Sequence, residues 1–193
     1  LVPTLLVGVP LGVAAFRRPG LATPVFAVLN LVQTVPSIAM FGLLMAPLAA
    51  LGGWWPGSGI SGIGLVPAVI ALALYSPLPI VHSTVAGLRQ VPSAAVEAAT
   101  GMGMSQRQIF WRVELPLALP LLVSGIRTTT VQAIGLAVVA ALIGAGGFGA
   151  IMFQGLLSSA LDLVLLGVLP VVGLAVVVDA LFQSLSVFLR ATP

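Results

Sequence analysis

The sequence contains, from Pro19 to Leu88, the stretch PGLATPVFAVLNLVQTVPSIAMFGLLMAPLAALGGWWPGSGISGIGLVPAVIALALYSPLPIVHSTVAGL, which has no Asp, Glu, Lys or Arg. A stretch of this length cannot form the exterior of a water-soluble domain, in which about a quarter of the residues are charged. It is also too long for one membrane helix, which needs about 20 apolar residues. The turn-forming cluster Gly52–Gly59 divides it. We therefore expect two membrane spans here, near Leu21–Leu51 and near Ile63–His82.

The composition of the whole chain supports a membrane protein. Of the 193 residues, 60% are hydrophobic and only 6% are charged. Intrinsic disorder is excluded, because it requires low hydrophobicity and high charge. The chain has no cysteine, which excludes disulfides and thiolate metal sites. A net charge of +3 from so few charged groups is too small to form a basic surface that binds nucleic acid, and we expect no nucleic-acid partner.

Three further apolar stretches complete the predicted fold. Leu1 to Phe16 would span about 24 Å as a helix against a bilayer core of about 30 Å, so we expect an incomplete first span and no signal peptide. Leu117–Ile143 and Leu163–Leu189 read as the fourth and fifth spans. The predicted fold class is an all-α polytopic membrane bundle with five transmembrane helices, in a single domain over residues 1–193. A less regular polar-dotted stretch is expected between Gly149 and Asp162.

The arginines indicate the orientation. With five spans, the connections on one side of the membrane contain none of the seven arginines. The other side receives six of them: Arg17, Arg18, Arg89, Arg107, Arg112 and Arg190. Because cytoplasmic loops are enriched in Lys and Arg, the arginine-rich side is predicted to face the cytoplasm. The loop 83–116 then lies in the cytoplasm.

This loop is too polar to span a membrane and too long for a simple turn. We expect two short helices at the membrane surface. The first runs near Ser93–Thr100 and is closed by glycines. The second begins at a capping box formed by Ser105 and Gln108, and Pro116 is expected to end it.

The loop carries a specific spacing of residues, namely Glu97-Ala98-Ala99, then Gly103, then Val113 and Leu115-Pro116. It resembles the signature loop of ABC importer permeases, in which an Ile is common where Val113 stands. Other segments are similar to the osmoprotectant branch of that family, which imports glycine betaine, carnitine, choline and similar quaternary amines: Val32–Ser37, Gly101–Ser105, Val113–Pro120, Gly125–Thr128 and Ile143–Gly149.

The resemblance implies a permease subunit of a binding-protein-dependent ABC importer, in the cytoplasmic (inner) membrane of a bacterium or archaeon. Its implied partners are two cytoplasmic ATPase subunits, a second permease subunit that is either identical or different, an extracytoplasmic solute-binding protein and the lipid bilayer. ATP and magnesium would be bound by the ATPases, and no cofactor by this chain. There is no Walker-type phosphate loop and no lysine. The chain is therefore not expected to be an enzyme.

Physical reasoning fits this role for the loop. A short helix bounded by glycines is a rigid body with hinges, and the small Ala98 and Ala99 allow another surface to approach closely. Glu97 can pair with an arginine or cap a helix of the partner. Leu115-Pro116 would fix where the loop turns into the fourth span. The alternative is a solvated amphipathic loop without a partner.

Polar residues within the spans are the other candidates. Gln33, Thr34 and Ser37, beside Pro36, either line a translocation path at a broken helix or bond back to helix carbonyls. Tyr75 is a candidate for the same path, because an aromatic ring attracts a quaternary ammonium. Arg127 and Asp179 lie at matching depths, so we expect an intramembrane pair, with or without a role in transport.

Three alternatives to an osmoprotectant importer remain open. A secondary transporter or channel driven by an ion gradient would need a relay of intramembrane acids or histidines, which are sparse here. An ABC permease for another small solute, such as an amino acid, would share the general plan. An integral membrane enzyme would need histidines and acids clustered at one interface, and the sequence has no such cluster.

Overall fold

The computed structural model describes residues 2–55 and 57–191, and side chains only up to residue 188. Helices account for almost all of this part of the chain, and it contains no strand. The helices are α1 Val2–Arg17, α2 Pro19–Thr34, α3 Ser37–Trp54, α4 Leu65–Tyr75, α5 Pro77–Arg89, α6 Ser93–Gly101, α7 Gln106–Ile109, α8 Leu115–Val139, α9 Phe148–Leu157 and α10 Leu161–Ala191. A π-helical turn, Phe110–Glu114, joins α7 to α8, and a 3₁₀ turn, Ala140–Ile143, follows α8. The all-α fold class predicted from the sequence is confirmed.

Within the described residues, four helical stretches are long and apolar enough to cross a membrane: Ser37–Trp54, Leu65–Arg89, Gln106–Ile143 and Leu161–Phe188. α1 is apolar but has only 16 residues. The expectation that it is part of an incomplete first span stays a prediction.

Prolines mark the starts of two of these helices and lie inside others. Pro19 and Pro77 are the first residues of α2 and α5, where the missing N–H costs no helical hydrogen bond. Pro10, Pro47 and Pro170 lie inside α1, α3 and α10. Interior prolines are tolerated in membrane helices, because neighbouring groups satisfy the freed carbonyls.

The predicted second span near Leu21–Leu51 is not a single helix, which agrees with the alternative of a broken helix beside Pro36. The chain breaks at Val35–Pro36 into α2 and α3. Pro36 disfavours helical geometry in the residue before it, and its own extended conformation (φ −56°, ψ 137°) caps α3, with its carbonyl accepting from the N–H of Met40 at 2.9 Å. A proline that the sequence analysis placed inside a span therefore ends one helix and begins another.

The predicted third span was too short. The helix continues past His82 to Arg89, so residues 83–89 belong to α5 and not to the loop 83–116. The hydroxyls of Ser83 and Thr84 donate to the carbonyls of Pro79 and Ile80 one turn earlier. Polar residues that satisfy themselves inside the helix in this way do not end it.

Two further expectations need correction. The stretch between Gly149 and Asp162 is not irregular, because α9 is a regular ten-residue helix. Pro116 does not end the second helix of the loop, since one continuous helical stretch runs from Gln106 to Ile143. The N–H of Leu115 donates to the carbonyl of Phe110, five residues back, so the chain widens into a π-turn just before the proline.

By its internal contacts the chain divides into two compact units. The first comprises residues up to 28, residues 77–129 and residues from 180 onward, and the second comprises residues 29–76 and 130–179. In the first unit, α1 packs closely on α5. A Cβ at Gly8 would lie 2.9 Å from Ile80, and one at Gly12 would lie 2.5 Å from Thr84. Small residues of this kind let membrane helices approach each other closely.

The second unit has its own core, formed by Met40, Phe41, Ala68, Ala71 and Ala140. A cavity of about 320 Å³ lies in this unit, and its lining is almost wholly apolar, including α4 and the glycine turn before α9. The N–H of Gly64, just before α4, donates to the carbonyl of Ile143 at 2.7 Å. The start of α4 is thereby tied to the end of the 3₁₀ turn that follows α8.

Candidate functional site

The residues that carry the signature spacing lie together in the first unit. The part of the predicted loop that lies outside α5 and contains this spacing, residues 93–116, is called the coupling segment below. Its first helix, α6, runs from Ser93 to Gly101, as the sequence predicts. Pro92 is extended at its N-terminus, and its carbonyl accepts from the N–H of Ala95 at 3.0 Å.

Gly103 has a definite structural role. The N–H of Gly103 donates to the carbonyl of Thr100 at 2.9 Å, and the N–H of Met104 donates to the carbonyl of Ala99 at 3.1 Å. These two bonds form a Schellman motif, and Gly103 supplies the left-handed residue that it needs, with φ of 79°. The spacing of four between Ala99 and Gly103 is thus the spacing of a helix stop.

The next helix begins with no intervening linker. Ser105 follows Met104 directly, and its hydroxyl accepts from the N–H of Gln108 at 3.4 Å. The Gln108 side chain accepts from the N–H of Ser105 at 2.8 Å, which completes the predicted capping box. Two consecutive capping motifs therefore fix the corner between α6 and α7.

The two sides of α6 differ. Ala99 is almost fully buried, whereas Glu97 and Ala98 are exposed. Ser93, Ala94 and Gly101 are exposed as well. The exposed face is made of small residues with one carboxylate, and Met102, 74% exposed, extends it at the C-terminal end.

The far end of the signature anchors the segment. Val113 and Leu115 are half-buried, and Pro116 is exposed. Leu115 packs against a buried cluster of Leu88, Ala118 and Leu122. Ile109, 1% exposed, anchors α7. The conformation of the segment is therefore fixed by capping at its corner and by apolar packing at its end.

The structure also shows a contact that the sequence analysis missed. The guanidinium carbon of Arg17, in the last turn of α1, lies 4.6 Å from the centre of the Phe110 ring. The helix-ending Arg17 and the loop residue Phe110 are 93 residues apart, and nothing local in either stretch signals the contact.

Gln33 and Tyr75, two of the candidates for the translocation path, are brought together in the second unit. The Gln33 side-chain amide donates to the carbonyl of Tyr75 at 3.1 Å, and the Tyr75 hydroxyl donates to the carbonyl of Val35. Each side chain thus satisfies a carbonyl at the end of the other helix, α4 or α2. We call this pair of bonds the break clamp.

The remaining candidates are placed as follows. Thr34 donates to the carbonyl of Leu31 in its own helix at 2.7 Å, as one of the two predicted alternatives required. Ser37 is half-buried at the start of α3. Arg127 in α8 and Asp179 in α10 are both half-buried and fall in different units, so their pairing stays a prediction.

Curated proteins of similar sequence are transport permeases. The chain is 44% identical to the osmoprotectant import permease protein OsmW of Salmonella typhimurium over 96% of this chain and 82% of that protein. It is 38% identical to the choline transport system permease protein OpuBB of Bacillus subtilis over 91% of this chain and 75% of that protein. The carnitine transport permease protein OpuCB of Listeria monocytogenes is 37% identical over 98% and 80%.

Solved structures of a methionine ABC transporter, MetNI, share the fold. Its inward-facing form matches with a TM-score of 0.79 at 24% identity, over 97% of this chain and 88% of that one. Residues 5–190 match the family described as binding-protein-dependent transport system inner membrane component. The signature spacing around α6, the all-α membrane fold and these matches agree. The chain belongs to this family of inner-membrane transport components, and the resemblance found in the sequence is confirmed.

Proposed function

We propose that this chain is the permease subunit of an ATP-driven importer for an osmoprotectant, a quaternary amine of the glycine betaine, choline or carnitine class. The observation that carries the solute class is the 44% identity, over 96% of the chain, to an osmoprotectant import permease. Permeases whose names specify choline and carnitine, at 36–38% identity, support the same class.

The coupling segment is the proposed docking site for an ATPase subunit in the cytoplasm. The exposed small residues of α6 fit a cleft in a partner, and Glu97 supplies one carboxylate that can pair with an arginine or cap a helix there. Val113, Leu115 and Pro116 join this docking element to the membrane helix α8. ATP and magnesium belong to the ATPases in this proposal, and this chain binds no cofactor and performs no covalent chemistry.

The proposed assembly contains two permease subunits, identical or different, two ATPases and an extracytoplasmic solute-binding protein. ATP binding would move the coupling segments and tilt the membrane helices between inward-open and outward-open states. Each state would expose the path to one side of the membrane only.

The proposed translocation path passes the helix break at Val35–Pro36. Non-helical backbone at membrane depth is tolerated where it is buried in protein or lines a water-filled cavity. Gln33 and Thr34 are exposed at this break, and Ser37 and Tyr75 are half-buried beside it. We further propose that Arg127 and Asp179 compensate each other's charge within the membrane, since an uncompensated charge at the centre of a span costs about 2.5–3.5 kcal/mol on insertion scales.

Uptake by the complete transporter in proteoliposomes tests the solute class. The panel contains radiolabelled glycine betaine, choline and carnitine, with methionine as the comparison because the structural relative is a methionine transporter. We expect ATP-dependent uptake of at least one quaternary amine and none of methionine. Uptake of methionine alone would overturn the proposed class, and uptake driven by an ion gradient without ATP would overturn the ATP-driven mechanism.

A further inference from the structure

The coupling segment is joined to the membrane helices at one aromatic residue. Phe110 follows α7 directly and begins the π-helical turn, and its carbonyl accepts the hydrogen bond from the N–H of Leu115, five residues on, that defines the turn. Its half-buried ring packs on Leu88 of α5 and on Ala118 and Leu122 of α8, in a cluster that also takes up residues of α1: Val9, Val13 and Phe16. Phe110 is therefore one route by which a displacement of α6 and α7 reaches these helices.

Arg17 holds the same ring from outside. Its guanidinium carbon lies 4.6 Å from the ring centre, within the range of about 6 Å over which a cation is attracted to an aromatic face. Arg17 lies in the last turn of α1, where a cation is also favoured by the helix dipole. Arg17 therefore connects α1, of which it is part, to the coupling segment, because its guanidinium group is attracted to the Phe110 ring.

α1 packs closely against α5. Gly8 and Gly12 bring the two helices into close contact at Ile80 and Thr84. A pull on the end of α1 therefore acts on the α1–α5 pair as one body. The covalent connection through Leu115 acts on α8 instead.

We infer that Arg17 is a positioning residue, which links the coupling segment to the α1–α5 pair through the ring of Phe110. A displacement of the coupling segment is then transmitted by two routes. One passes along the chain to α8, and the other passes through the contact of Phe110 with Arg17 to α1 and α5. The inference rests on the proposed function, because it assumes that the segment is moved by an ATPase. It adds a residue outside the signature spacing to the coupling mechanism.

The test is the coupling ratio, the amount of solute moved per ATP hydrolysed, in proteoliposomes of the complete transporter. Arg17→Gln and Phe110→Leu are expected to lower the ratio at least threefold each, and the double variant no further than either single one. Arg17→Lys keeps a cation over the ring and is expected to recover at least half of the ratio. Arg18→Gln, at the neighbouring exposed arginine, is the matched control and should stay within twofold of the parent. Equal ratios for Arg17→Gln and Arg18→Gln, or multiplying losses in the double variant, would overturn the link.

A second measurement separates this inference from the proposed function. The chain has no cysteine, so Gln106→Cys carries a single nitroxide label on exposed α7. We expect the electron paramagnetic resonance spectrum of the labelled transporter to gain a mobile component when Arg17→Gln is added. The spectrum should not change when Arg18→Gln is added, and both expectations hold whether or not a quaternary amine is the solute. Unchanged spectra for both would overturn the link while leaving the proposed function standing. Absence of osmoprotectant uptake by the parent would overturn the proposed function while leaving the link open to this measurement.

Discussion

Pro36 and Pro116 interrupt the helices in two different ways. At Pro36 the helix stops, and two side-chain bonds hold the ends of α2 and α4 together. At Pro116 the helix continues, because the π-turn from Phe110 to Glu114 precedes the proline. A proline lacks an N–H and clashes with the carbonyl four residues back, and a wider turn before it relieves that conflict. The surrounding contacts, rather than the proline, determine which outcome occurs.

The break at Pro36 and the π-turn before Pro116 therefore have different structural roles. The break clamp is closed by bonds between segments that are 40 and 42 residues apart in sequence, so it fixes a bend. The π-turn joins the docking element to α8, and the bond that defines it is local, from the N–H of Leu115 to the carbonyl of Phe110. We expect the first region to be sensitive to loss of a single polar group and the second to tolerate loss of its proline.

The largest effect is expected for Tyr75→Phe. It removes the hydroxyl that donates to the carbonyl of Val35 at the helix break. We expect a loss of about 1–2 kcal/mol in the free energy of unfolding in detergent, near the upper end for polar contacts between membrane helices. Denaturant titration followed by circular dichroism measures it. Thr34→Val is the control, because the Thr34 hydroxyl bonds only within its own helix. Equal losses for the two variants would refute the break clamp.

A smaller effect is expected for Gln33→Leu. The exposed Gln33 amide donates to the carbonyl of Tyr75, so its removal should cost about 0.5–1 kcal/mol in the same titration. The combination with Tyr75→Phe should cost less than the sum, since the first loss already loosens the bend. Strictly additive losses would show that the two bonds act independently and do not form one clamp.

The smallest effect is expected for Pro116→Ala. A proline in a regular helix interior costs about 3 kcal/mol, but the π-turn accommodates this one, so we expect a change of less than about 1 kcal/mol in unfolding free energy. Helix content by circular dichroism should stay the same. Stabilisation by about 3 kcal/mol would mean that Pro116 is strained in place, and the contrast with Pro36 would disappear.

The sequence predicted the parts of the fold that depend on local chemistry. The end of α6 at Gly103 and the capping box of Ser105 and Gln108 follow from residue types at fixed spacings, and both are found. The spans near 117–143 and 163–189 follow from apolar length. These features need no information from distant residues.

Two kinds of feature were not predicted: contacts with distant partners, and local backbone geometry that residue types do not specify. The break at Pro36 is completed by Tyr75, and the helix through Ser83 and Thr84 continues because each hydroxyl finds a carbonyl one turn back. The π-turn has no signature in residue types, so the continuation through Pro116 was missed. The contact of Arg17 with Phe110 likewise depends on how α1 packs against α5.

The central claim is that α6 transmits the work of an ATPase, and one measurement tests it most directly. Solute-stimulated ATP hydrolysis is measured for the complete transporter in proteoliposomes, with Glu97→Arg compared against Gln106→Arg, which places an arginine at another exposed position of the segment without removing a carboxylate. We expect Glu97→Arg to abolish the stimulation by solute and Gln106→Arg to retain at least half of it. Stimulation at the parent level in Glu97→Arg would contradict the account.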